Sequence, residues 1–310
     1  MSMTNSIQKT FSIESQNILH LTFDHFEQMI AYAKNWSCYC PYRFGTHSFG
    51  GQYDIYQHEN FQIANAIFHD GLMFKGYPPK DTVSLIVILD KQGSLTANKK
   101  LLQTGEILIL DDQDEYEIAF SHYMQEGVIS IKKEFVNTCF PYLNHMVNKV
   151  YHDTNSVLKD LIEHLENKGE CQDDNMQLWL IESIRSLSLE KQKEIPKKLS
   201  KKESVIFDIR DYMIEHSKKN IQIENLAFKF KMSEKTMQTA FRKLFGYTPK
   251  KFIKLLKMNL AHQDIIEVNN TKTISTIAMK YGFRNFGLFA REYKQLYGTL
   301  PSESRVTSLS

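Results

Sequence analysis

The 310-residue sequence lacks most of the features that mark membrane, secreted and catalytic proteins. No apolar run approaches the roughly 18 residues of a membrane-crossing helix. The N-terminal MSMTNSIQKTFSIESQNILH has no basic start followed by an apolar core, so no signal peptide is expected. Cysteine is scarce: Cys38, Cys40, Cys139 and Cys171 form no C-x-x-C and no paired metal spacing. They read as reduced thiols of a cytoplasmic protein, with a redox pair at Cys38 and Cys40 as the alternative. Histidine shows no H-x-H: His47 and His58 stand apart and His122 is alone, which argues against a metal-binding barrel. A Gly-rich phosphate loop is missing, as is any Ser/His/Asp or Cys/His signature. An enzyme is therefore not expected, nor any catalytic residue, metal or cofactor.

What is present is an ordinary globular composition, 42% hydrophobic and 24% charged, with enough length for two domains. The net charge of +2 hides an asymmetry. Residues 201–310 hold 15 Lys and 5 Arg against 10 acidic residues, a net +10, while residues 1–200 carry −8. A basic third joined to an acidic remainder suggests a nucleic-acid-binding module attached to a module of another kind.

The texture of the chain divides it further. LHLTFDHFEQMIAYAKNW, residues 19–36, starts extended and turns helical, with Phe26, Met29, Ile30 and Ala33 at helical spacing. From about 45 to 136, short β-branched and aromatic runs such as YDIYQH, VSLIVILDKQG, EILILDD and GVISIKKEF alternate with turn residues. That pattern predicts a small antiparallel barrel or sandwich. Helices follow at about 137–189: one places Val157, Leu158, Leu161, Ile162 and Leu165 on a face, the next Leu178, Ile181, Ile184 and Leu187. They cap the sheet or, with a stripe left over, pair with a second copy. EKQKEIPKKLSKKES reads as a solvated linker. The expected division is thus 1–190 for the barrel and its helices, 191–204 for the linker and 205–310 for the basic domain.

Within that domain a unit is duplicated. IENLAFKFKMSEKTMQTAFRKLFGYTP begins at Ile223, and ISTIAMKYGFRNFGLFAREYKQLYGTLP begins at Ile274. Ile223, Leu226, Ala227, Phe230 and Met232 match Ile274, Ile277, Ala278, Tyr281 and Phe283 at an offset of 51. Ser233, Phe241, Phe245, Gly246 and Pro249 match Asn285, Tyr293, Tyr297, Gly298 and Pro301 at an offset of 52. Each unit reads as helix, tight turn, helix. Ser233 and Asn285 cap the second helices, Gly282 serves the second turn, and Met237, Ala240, Phe241 and Leu244 form an inward stripe. TPKKFIKLLKMNLAHQDII joins the units as one long helix, capped by Thr248 with Pro249 in first position. About 18 residues span roughly 27 Å, close to the roughly 34 Å between successive major-groove faces.

On those two units, the linking helix and the closing FRKLFGYTP and YKQLYGTLPSESR, residues 201–310 resemble the DNA-binding domain of the AraC/XylS family of bacterial transcription regulators. Residues 19–136, with FGGQYDIY and LLQTGEILILDDQDEYEI, resemble the effector-binding cupin-like β-barrel that often precedes it. The fold implied is two-domain α+β, a barrel with flanking helices followed by an all-α domain. Three positions depart from the family pattern: Lys231 in the first turn, Lys257 in the linking helix and Gly287 in the second recognition helix.

The outward face of the first recognition helix carries Lys235, Gln238, Thr239 and Arg242 as base-reading candidates, able to donate to guanine or pair with adenine. The second offers Arg291, at a position where the family commonly reads a base, and Phe286, which packs on a thymine methyl or within its own unit. Lys243, Arg284 and Lys294 are phosphate candidates. The resemblance implies double-stranded DNA and RNA polymerase as partners, activation more often than repression, a homodimer, and a small effector in the barrel. The alternative is an effector-independent repressor or architectural protein whose N-terminal domain only dimerises or binds a protein partner.

Overall fold

Period-two burial sets the N-terminal architecture. The computed structural model describes residues 18–33, 35–45, 49–153, 156–167, 173–189, 199–267 and 270–309, with backbone alone at 26–27, 40–41, 164–167, 173–175, 188–189 and 306–309. His47 and Cys171 lie outside the described residues, as do the N-terminal 17 residues and most of the expected linker. Twelve strands occur among the described residues: β1 Ile18–Phe23, β2 Ser37–Arg43, β3 Gly51–Gln57, β4 Phe61–Phe68, β5 Leu72–Tyr77, β6 Thr82–Lys91, β7 Leu95–Ala97, β8 Lys100–Leu101, β9 Glu106–Asp111, β10 Tyr116–Phe120, β11 Met124–Lys132 and β12 Val150–His152. They form a seven-stranded sheet in the order β1-β3-β4-β11-β6-β9-β12 and a five-stranded sheet in the order β2-β5-β10-β7-β8. The pairings are antiparallel, as expected of short strands joined by tight turns.

Alternation along each strand feeds two cores. Ile86, Ile88, Leu108, Leu110 and Met124 point between the sheets, where they meet Phe74, Tyr116, Ile118 and Phe120. Val83, Leu85, Val87, Ile129 and Ile131 point outward from the larger sheet onto helices. Those helices are α2 Lys133–Cys139, α3 Val157–Asn167 and α4 Asp173–Leu189, with a 3-10 turn at Pro141–His145. A short helix, α1 Phe26–Tyr32, buries Met29 against the inter-sheet core.

The C-terminal part is helical, with α5 Lys201–Glu215, α6 Ile223–Lys229, α7 Glu234–Phe245, α8 Pro249–Ile266, α9 Ile274–Lys280, α10 Phe286–Tyr297 and α11 Pro301–Leu309. The two-domain α+β architecture expected from the sequence is thus present. Its first core, built by α5, α6, α7 and the front of α8, also takes in Phe44 and Met73 from the outer face of the smaller sheet. Its second core is built by the back of α8 with α9 and α10.

Three expectations need correction. The strands exceed the 45–136 span at both ends: β1, the extended start read at 19–36, and β2 precede it, and β12, with only three residues, is too short to stand out by periodicity. Residues 201–204 of the expected linker form the first turn of α5. The Ser200 hydroxyl accepts from the Glu203 N–H, and the Glu203 carboxylate accepts from the Ser200 N–H at 3.0 Å, a capping box that starts the helix early. Leu178 is 56% exposed: the buried stripe of α4 runs through Met176, Leu180, Ile184 and Leu187, and Leu178 falls on the opposite side at 100° per residue.

Candidate nucleic-acid interface

The first unit starts from a small residue. Ala227 on α6 is buried against α7, and Leu226 beside it enters the same core. After α6 the chain turns sharply: the Met232 N–H donates to the Ala227 carbonyl at 2.9 Å. The second unit repeats the turn, with the Phe283 N–H donating to the Ala278 carbonyl at 2.9 Å. Both turns pass through a left-handed residue, Gly282 at φ 86° and Lys231 at φ 51°. Glycine takes that conformation freely and lysine does not. The departure at Lys231 therefore sits where the backbone geometry is the same and the residue is less suited to it.

Caps fix where each recognition helix begins. The Thr236 N–H donates to Ser233 Oγ at 3.2 Å, and the Leu288 N–H donates to Asn285 Oδ1 at 2.9 Å. Each helix then ends on a left-handed glycine, Gly246 or Gly298. Met237, Ala240, Phe241 and Leu244 of α7 are buried, as are Phe289, Tyr293 and Leu296 of α10, which matches the inward stripes read from the sequence.

With the inner faces occupied, the outer ones are set. Lys235, Gln238, Thr239 and Arg242 are exposed along α7. The Thr239 hydroxyl donates to the Lys235 carbonyl at 2.9 Å, so contact with a base would draw it off its own helix. On α10, Arg291 and Lys294 are exposed, as is Arg284 just before it. Phe286 is 42% exposed and stands outside the buried core of its unit. Lys243 is exposed and lies 3.7 Å from the Glu203 carboxylate, a solvent-facing pair of little strength.

Helix α8 holds the units together. Its 18 residues, capped by Thr248 with Pro249 in first position, match the expected linking helix. Phe252, Ile253 and Leu256 enter the first core, and Met258, Leu260, Ala261 and Ile265 enter the second. Polar contacts pin the second unit to it. Lys280 lies 2.6 Å from Asp264, Tyr281 donates to Asp264 at 3.0 Å, and Lys254 lies 2.5 Å from Glu292. His262 stacks on Tyr297 at 3.9 Å and bonds the Tyr293 hydroxyl at 2.6 Å. Burial holds its pKa down at about 3, so the ring is neutral near pH 7.

Sequence reasoning missed the residues that dock this domain on the barrel. Asn259, in the middle of α8, accepts from the Arg43 N–H at 2.7 Å and donates to the Arg43 carbonyl at 2.9 Å. Phe44 stacks on Phe252 with ring centroids 4.6 Å apart. Arg210 of α5 is buried and bonds Glu117 of β10 at 2.5 Å, and Tyr247 donates to the Ser121 carbonyl at 2.5 Å. A polar residue inside an apolar helical stripe, as Asn259 is, was the available signal.

Comparison with known proteins follows this geometry. A helix-turn-helix domain family matches residues 226–306. The chain is 23% identical over 216 residues to "XylDLEGF operon transcriptional activator 1" of Pseudomonas putida, covering 64% of this chain and 64% of that protein. It is 32% identical over 94 residues to "XylDLEGF operon transcriptional activator 3" of the same organism, covering 30% of this chain and 28% of that one. The chain thus spans less than two thirds of either relative's length. A crystal structure of the AraC-like transcriptional activator CuxR covers 76% of this chain and 92% of its own at a TM-score of 0.42 and 11% identity, too low to bear on the fold. Residues 226–306 thus belong to a helix-turn-helix domain family, and the two units on one long helix, with these relatives, support a regulator of the AraC/XylS type.

Proposed function

We propose that the protein binds a specific, asymmetric DNA site through α7 and α10 and regulates transcription there as an activator, under the control of a small effector held in the barrel. The observation that carries the DNA half is the pair of exposed polar faces on capped helices fixed to opposite ends of α8. Lys235, Gln238, Thr239, Arg242, Phe286 and Arg291 read bases, and Lys243, Arg284 and Lys294 contact phosphates. The two faces differ in residue type, so each protomer reads two unlike boxes. A cavity of about 460 Å³ at one end of the barrel supports the effector half.

Three further elements follow from the family. RNA polymerase is the partner through which activation occurs. The protein works in the cytoplasm. It acts as a homodimer, to which α4 offers Leu178 at 56% and Trp179 at 40% exposure. The boundary in the chain between the effector-binding and DNA-binding parts falls between α4 and α5. Among the described residues no helix is long and apolar enough to cross a membrane.

Selection of binding sites from a random duplex library, with the full chain and its Arg291→Ala variant at one fixed salt concentration, tests the proposal. A two-box asymmetric motif, relaxed in one box by the variant, is expected. Tight, steeply salt-dependent binding without any motif would instead indicate backbone contact alone and an architectural role.

A further inference from the structure

The inner face of the larger sheet is graded from rim to floor. Cross-strand register defines three successive rows on it. Gln57, Gln62, Ser130 and Ser84 form the outermost, at the cavity mouth; Ile55, Ala64, Val128 and Ile86 form the next; Tyr53, Ala66, Glu126 and Ile88 form the third. Gln57, Gln62, Thr82 and Ser130 line the cavity, with Lys80 and Lys132 beside them. Ile55, Ala64 and Val128, in the row below the mouth, are only half-buried although they face the interior, so that row is not packed as closely as the floor. Ser130 and Glu126 are four residues apart, which sets the rim about 13 Å from the floor.

The floor is where the chemistry is unusual. Glu126 is buried, and its Oε2 has no hydrogen-bond partner among the described residues. It sits beside a bulge at Gln125/Glu126, a device that re-aims a side chain. The titratable groups that face it are Cys38 of β2, Tyr53 of β3 and Tyr116 of β10. Burial raises the pKa of all three, so they are neutral near pH 7 and none supplies positive charge. Burial alone pushes Glu126 up to about 8, so it too is mainly a neutral acid there. Aromatic rings close the floor: Trp36 stands edge-on to Tyr116 at 5.3 Å, Phe74 at 5.8 Å from the same ring, and Phe68 at 6.0 Å from Tyr53.

We propose that this cup binds a small molecule with an apolar body and a primary amine, the ammonium seated on Glu126 among the aromatic rings, an inference that rests on the effector reading above. A carboxyl with an unused oxygen and no cation near it is the group that gains most from such a ligand. The surrounding rings favour a cation by their electron-rich faces. A carboxylate ligand would find no cation on the floor to balance its charge, and an alcohol would supply a hydrogen bond but no charge. The middle row accepts the apolar body and the rim accepts a polar outer end. Binding converts the neutral Glu126 acid to a carboxylate, so one proton passes from Glu126 to the buffer as the ammonium ion pair forms.

The test uses the full chain and three probes of one shape: 3-phenylpropylamine, 3-phenylpropanol and 3-phenylpropionate. Isothermal titration at pH 7 in buffers of different ionisation enthalpy gives both affinity and proton release. The amine should bind tightest and release a proton to the buffer. Glu126→Gln, which keeps shape and removes the charge, should weaken the amine by about thirty-fold or more and abolish the release. Val128→Phe should block all three by filling the middle row while leaving Glu126 in place. Unliganded melting temperatures check that both variants fold. If the alcohol or the acid binds as well as the amine, the amine assignment fails and the effector reading stands. If the amine binds but Glu126→Gln changes nothing, the site is elsewhere and the proposal is overturned. Failure of all three probes to bind overturns it too, and withdraws the support that the cup lends to the effector reading.

Discussion

Asn259 is the residue whose removal says most about how the two halves are joined. It is 4% exposed, and its side chain satisfies the Arg43 N–H at 2.7 Å, the Arg43 carbonyl at 2.9 Å and the Tyr297 hydroxyl at 3.1 Å. Asn259→Ala leaves the two buried Arg43 groups and the half-buried Tyr297 hydroxyl without that partner. Each such group costs about 1–3 kcal/mol, so the docked arrangement should lose about 3 kcal/mol, the low end being used because water can enter the space vacated. Alanine is a good helix former, so α8 itself should persist. The loss should therefore fall on the contact between barrel and helices rather than on either part. Scanning calorimetry of the full chain should show a transition that broadens or splits, as the barrel and the DNA-binding part come apart before both unfold. A loss below about 1 kcal/mol with an unchanged transition would falsify the claim that this contact fastens α8 to β2.

Lys231→Gly should stabilise the chain by about 0.5–1 kcal/mol in chemical denaturation, the relief of a left-handed lysine less the added freedom of the unfolded chain. An unchanged midpoint would mean that the turn is not strained at φ 51°. Arg291→Ala should cost about 1–3 kcal/mol on the best DNA site and flatten preference in one box only, by competition binding at fixed salt. Loss of affinity with preference intact would move Arg291 to the phosphate contacts. Glu126 contributes a pH dependence whose sign is set by its raised pKa. The folded state holds this proton up to about 8, the unfolded chain only to about 4.3. Stability is therefore lost as pH rises through that window, and the wild type should fall behind Glu126→Gln between about pH 4.3 and 8. Parallel stability curves across the window would count against a buried neutral acid.

The DNA-binding part was the more legible in sequence because its determinants are local. Ser233, Asn285, Thr248 and Pro249 act within a turn of where they stand, and the caps formed where the spacing put them. The stripe through Met237, Ala240, Phe241 and Leu244 is buried for the same reason: a period of 3.6 admits one inward face. The amphipathic α4 was harder, since Leu178 and Trp179 are apolar yet exposed, and periodicity alone did not decide which apolar residues faced the sheet. The cup could not be read at all. Glu126 belongs to it through lateral pairing with β4 and β6 and through Cys38, Tyr53 and Tyr116, which lie 88, 73 and 10 residues away in sequence. Nothing in QEGVISIK marks the glutamate as inward, because Gln125 and Gly127 flank it and a bulge resets the alternation beside it.

One strand connects the two features that sequence did not reveal. β2 begins beside the floor of the cup, where the Cys38 thiol lies 3.3 Å from the Tyr116 hydroxyl, and ends at Arg43, whose backbone is held by Asn259. Five residues separate these points, about 17 Å of extended chain. Arg43 also lies 3.5 Å from Asp70 of the barrel, and its guanidinium stands over Tyr297 of α10 at 5.9 Å. The same short segment thus touches the cup, the middle of α8 and the second recognition helix. Because α8 is a single helix with a core at either end, the end of β2 is joined through it to both units. The ligand proposed for the cup floor would therefore bind beside a strand whose far end contacts the helix that carries both units.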